Sequence, residues 1–167
     1  MNTPFRSSLV AVAAFSCACA KSSAQEVAPA PAVRAEVVPL AEAKVEGADH
    51  VVTFEQKGAC AMGAVCTATI RLETKGGFHV NEQFPYKFKG LESSGVELLG
   101  ADAAKKNDFS KAAGDLTLEG KTVATLVVRF KLAAKTGTVT GTYKYAICNE
   151  ANCFPKEAPL SLAVAVR

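Results

Sequence analysis

From about Val45 onward the apolar residues recur at every second position, and that period constrains the fold more than any other feature of the chain. In "CTATIRLET" Ala68, Ile70 and Leu72 fall on one face, with Thr67, Thr69, Arg71 and Glu73 on the other. "TLVVRFKLA" repeats the pattern with Leu126, Val128, Phe130 and Leu132 against Val127, Arg129 and Lys131. Successive side chains of a strand point to opposite faces, so each segment reads as a strand with one buried side. "HVVTFEQ", "YKFKGLE", "VELLGAD", "TGTVTGTYKYAI" and "LSLAVAV" read the same way.

Turn signals punctuate these runs at Lys75-Gly76-Gly77, Ser93-Ser94-Gly95, Glu119-Gly120-Lys121 and Lys135-Thr136-Gly137. With few helix candidates, the pattern predicts an all-β domain over residues 45–167: an antiparallel sandwich of immunoglobulin-like type with about seven to nine strands. "ADAAKKNDFSKAAGD", Ala101 to Asp115, breaks the period and reads as a loop or short helix. At 167 residues, one domain is expected.

The first 20 residues have the layout of an export signal: Arg6, the apolar "SLVAVAAF", then small residues and cysteines in "SCACAKSSA". Two cleavage readings stand side by side. An ordinary site after Ala20 or Ala24 would free the protein into the periplasm. A lipoprotein-like site would instead leave lipid on Cys19 and tie the protein to a membrane. Residues 21–44, rich in Ala, Pro and Val, read as a tether. Without Arg6 the chain carries 18 basic against 16 acidic side chains, dispersed with no basic run, so nucleic acid is not an expected partner.

Export leads to an oxidising compartment, where paired cysteines form disulfides. Cys60 and Cys66 bracket "CAMGAVC"; Cys148 and Cys153 bracket "CNEANC". Four cysteines allow three connectivities. A strand ending at Cys148 and another starting at Cys153 would set those side chains opposite each other, which favours local pairing. Loop entropy separates the choices: closing about six residues is worth about 2.2 kcal/mol, closing about 90 residues about 4.6 kcal/mol. A pair kept only as a staple could do better by reaching farther, which tilts the reading toward chemistry.

"YAICNEANCFPKEAPLSLAV" resembles the end of the amino-terminal periplasmic domain of the DsbD thiol:disulfide interchange proteins, in which a strand meets a cysteine pair, an aromatic-Pro step and a closing strand. "GGFHVNEQFPYKF" is similar to that family's Gly-aromatic strand, and "NDFSK" lies where it carries a cap loop. The resemblance implies an immunoglobulin-like sandwich in which Cys148 and Cys153 are the redox pair, Phe109 shields them and Asp108 tunes a thiol. The spacer is four residues where the best-known members have five. No membrane conduit or thioredoxin-like domain is expected here, so periplasmic thiol or disulfide proteins would act in trans. Cys60 and Cys66, without a following aromatic-Pro, read as a structural disulfide.

Other features read as structural. His79 and His50 lie far apart and suggest hydrogen-bonded or surface histidines; Phe84, Tyr86 and Phe88 suggest core. Lys144 and Lys156 are the cations available to activate a thiolate, with Glu150 offsetting them. No metal, cofactor or hydrolytic constellation stands out. The function read from sequence is thiol:disulfide exchange through a mixed disulfide. The alternative is a non-catalytic envelope lipoprotein that binds or scaffolds, with two inert disulfides.

Overall fold

The computed structural model describes residues 43–91 and 93–167. The expected signal, Cys19 and the tether through residue 42 lie outside the described residues. Among the described residues eleven strands run in order as β1 (Lys44–Glu46), β2 (His50–Lys57), β3 (Val65–Thr74), β4 (His79–Val80), β5 (Lys87–Gly90), β6 (Val96–Leu98), β7 (Asp108–Ser110), β8 (Leu116–Glu119), β9 (Val123–Leu132), β10 (Thr136–Cys148) and β11 (Cys153–Ala165). The sheet takes in the chain just before the expected start at Val45: Lys44 pairs with Thr53, and the Ala43 carbonyl accepts from Phe54 N at 2.7 Å.

Two antiparallel sheets form the sandwich. One has the order β1-β2-β3-β9, with β6 and β8 both on the far side of β9; the other has the order β11-β10-β5-β7, with β4 also on β10. The paths β2-β3-β9-β8 and β5-β10-β11 follow the A-B-E-D and C-F-G arrangement of an immunoglobulin-like sandwich, with β7 added beside β5. The alternation places the core as expected. Cys66, Ala68, Ile70 and Leu72 of β3 face Phe130, Val128, Leu126 and Ala124 of β9 along the register, all buried. Each such Leu, Ile or Phe contributes about 1.5–3 kcal/mol by leaving water.

Eleven strands exceed the seven to nine expected because several are two to four residues long. The fourth turn signal is displaced: Thr136 and Gly137 already belong to β10. The Ala101–Asp115 stretch holds one 3₁₀ turn, Ala103–Lys105, capped by the Asp102 carboxylate, and then β7. At Gly141 a Cβ would lie 2.4 Å from Phe88 Cζ and 2.5 Å from the Lys89 carbonyl, so β10 needs glycine to pass under that ring.

Polar bonds tie the two sheets together at their margins. Gln56 of β2 donates to the Ala165 carbonyl and accepts from Ala165 N, both at 2.9 Å. Asp49 Oδ1 lies 2.5 Å from His50 Nδ1, and His50 Nε2 lies 2.6 Å from Tyr145 Oη. Lys156 Nζ donates to Asp49 Oδ2 at 3.0 Å. Burial disfavours the Asp49 carboxylate, but the bonds from His50 and Lys156 outweigh it and hold the group below its ordinary pKa.

Candidate functional site

The strands β10 and β11 pair over their whole length, from Thr136 opposite Ala165 to Cys148 opposite Cys153. Their tip is a four-residue loop whose Asn149 Oδ1 accepts from Ala151 N at 3.0 Å and Asn152 N at 2.8 Å. Asn149 N donates to the Asn152 carbonyl at 2.9 Å, which makes that the hydrogen-bonded pair. The next pair, Cys148 and Cys153, is then the non-hydrogen-bonded kind, in which strands come closest. Their Cα atoms are 4.0 Å apart and the sulfurs are bonded at 1.98 Å.

The two cysteines differ in exposure. Cys148 is 3% exposed, whereas Cys153 is exposed at the edge of the sheet. Both line an open cleft of about 930 Å³ shared with Phe78, His79 and Glu150. The Gly76-Gly77 turn forms another wall. Its φ angles of 60° and 83° require glycine, and it is fastened by Thr74 Oγ1 donating to the Phe78 carbonyl at 2.8 Å. Val80 N donates to the Lys121 carbonyl at 2.8 Å and fixes the short strand that follows.

Phe78 and Phe154, the chain neighbours of His79 and Cys153, have ring centroids 6.3 Å apart and by alternation lie on the other face of the sheet from the sulfurs; Phe154 is 40% exposed. Phe109 itself is fully buried and pairs with Phe88 across β5 and β7, and the Arg129 guanidinium lies 5.8 Å from its ring centroid. Phe88 in turn faces Tyr143, five residues before Cys148, or about 16 Å along the strand. The expected cap is therefore corrected: alternation within β7 turns Phe109 into the sandwich. Asp108 points the other way and is bound by Lys87 at 2.8 Å, opposite the β10 segment well short of the cysteines.

The cations expected near the thiols are committed elsewhere. Lys144 pairs with Glu157 at 2.7 Å, and Lys156 reaches Asp49. His79, read from sequence as structural, lies directly opposite Cys148 in the β4–β10 register. Its signal in the sequence was the Gly-Gly-Phe-His step, but only strand pairing shows which residue it meets.

The second bond, Cys60 to Cys66, has a Cα separation of 5.3 Å, and both cysteines are buried. Cys60 and Arg167 exchange backbone hydrogen bonds at 3.3 and 3.0 Å, so this bond closes the end of the sandwich opposite Cys148, about 40 Å away along β10. No protein-family model, curated protein or solved structure matches the chain.

Proposed function

We propose that this domain is a thiol:disulfide exchange module, exported from the cytoplasm, whose Cys148–Cys153 bond is opened by a thiolate of a partner protein acting in trans. The observation that carries the reading is the unequal exposure of the two cysteines at the tip of a long hairpin. Exchange needs a thiolate to approach one sulfur along the bond. Cys153 offers that approach, and Cys148, shielded, is the leaving group. The partner would then be held on Cys153 until its second thiol resolves the mixed disulfide. A bond kept only for stability gains little from a short loop and nothing from an exposed sulfur. Export supports the reading through the signal-like residues 1–20 and the oxidised state of both pairs.

Trapping tests it. In Cys148→Ser the remaining Cys153 thiol should capture a partner from a periplasmic extract as an adduct released by dithiothreitol, and Cys153→Ser should capture far less. If neither variant forms such an adduct, and the wild-type bond stays oxidised through graded glutathione buffers, the scaffold reading with two inert disulfides takes its place.

A further inference from the structure

The register places three side chains in one row across the sheet. His79 of β4 is opposite Cys148 of β10, which is opposite Cys153 of β11. Directly opposed residues point to the same face, with Cβ atoms about 5 Å apart. An imidazole thus stands next to the buried sulfur, on the side away from the exposed one. His79 is half-buried and lines the same cleft.

We propose that His79 is the proton partner of Cys148, a role that rests on the exchange reading above. As the partner thiolate bonds to Cys153 Sγ, the sulfur–sulfur bond breaks and its electron pair goes to Cys148 Sγ. The partner sulfur is oxidised and the cystine is reduced. The new thiolate is largely shut off from water, and it needs a cation or a proton. The imidazolium of His79 supplies either, first as a counter-charge and then as the donor that leaves a neutral thiol.

The other charges lining the cleft are Lys75 beside the glycine turn, Glu82 after β4, Lys121 on the β8–β9 turn and Glu150 at the hairpin tip. They are two of each sign, and Lys75 is held by Glu46 at 3.0 Å. Lys144 and Lys156 hold carboxylates of their own. Among these groups the imidazole alone belongs to a class that changes charge near neutral pH. A thiol beside it titrates jointly with it, as cysteine-histidine pairs do.

The test separates this role from the exchange reading. In Cys153→Ser, which leaves Cys148 as a free thiol, the ultraviolet absorbance of the thiolate gives its titration midpoint. Adding His79→Gln should raise that midpoint by about one pH unit or more, and His79→Lys should restore it. In the intact disulfide protein, His79→Gln should slow reduction by dithiothreitol about tenfold. An unchanged midpoint in a variant with wild-type urea resistance overturns the proposal even if exchange is normal. A midpoint that moves in a protein whose disulfide resists every glutathione buffer keeps the histidine–cysteine pairing and sinks the exchange reading instead.

Discussion

Three tyrosines fill the sandwich beneath β10, and their hydroxyls have unequal fates. Tyr145 Oη meets His50 Nε2 at 2.6 Å, Tyr86 Oη donates to the Ala146 carbonyl at 3.0 Å, and Tyr143 Oη finds no partner among the described residues. All three side chains are 2% exposed or less. Replacing each with Phe removes one oxygen and little volume, so hydrogen bonding dominates the outcome. Tyr143→Phe relieves a buried, unpaired hydroxyl and should stabilise by about 1–2 kcal/mol. Tyr145→Phe strands the buried His50 nitrogen and should cost about 2 kcal/mol. Tyr86→Phe should cost about 1 kcal/mol, since the Ala146 carbonyl keeps a bond from Asn81 N at 3.2 Å.

Urea unfolding measures the series: with an m of about 2 kcal/mol per M, each kcal/mol moves the midpoint by about 0.5 M. High pH gives a second reading. Burial raises the Tyr86 and Tyr145 hydroxyls to about 12, with the Asp49 charge adding to the latter, and lifts Tyr143 well above its ordinary value. A raised acid pKa means that the unfolded chain loses its proton first. The stability is therefore fully present below pH 10 and drains away as pH climbs toward 12, by about 1.4 kcal/mol per pH unit for each tyrosine. Tyr143→Phe should flatten that decline by about a third. If Tyr143→Phe loses as much stability as Tyr145→Phe, the claim that its hydroxyl is an orphan fails.

Three further outcomes are expected. Phe109→Ala should cost about 3–5 kcal/mol in urea unfolding without changing the reduction rate of the Cys148–Cys153 bond. Gly141→Ala should lose about 1–3 kcal/mol, because the added methyl meets the Phe88 ring and a fixed carbonyl; a wild-type melting curve would show that β10 can yield there. Replacing Cys60 and Cys66 together with Ala should lower stability by about 2 kcal/mol while the kinetics of the other disulfide, measured by thiol alkylation, stay the same.

The long strands were legible because alternation over eight or more residues has no competing explanation. β3 and β9 each carry four or five full periods, and burial follows them residue by residue. β4, with two residues, and β7, with three, contain barely one period, and the second is wrapped in Ala and Lys. Phe109 looked solitary in sequence because its neighbours there are polar; its actual neighbour, Phe88, is supplied by β5. The cysteine hairpin was readable since its partners are adjacent in the chain. His79 was not, because its place beside Cys148 depends on a pairing between segments that share no local signal.

The prolines of β11 bear on how molecules of this kind coexist at high concentration. Ala165 turns both backbone groups outward to Gln56, so by the two-residue period Pro159 and Pro155 face the same way. A thirteen-residue strand at a sheet margin would ordinarily invite another chain to zip along it. Here two of the outward amide hydrogens do not exist and a third is already taken, which leaves Cys153, Glu157, Ser161 and Ala163 and interrupts the ladder at both prolines. Two molecules that collide along this margin find only an interrupted template for fibre growth, and a partner seeking Cys153 meets it at the tip.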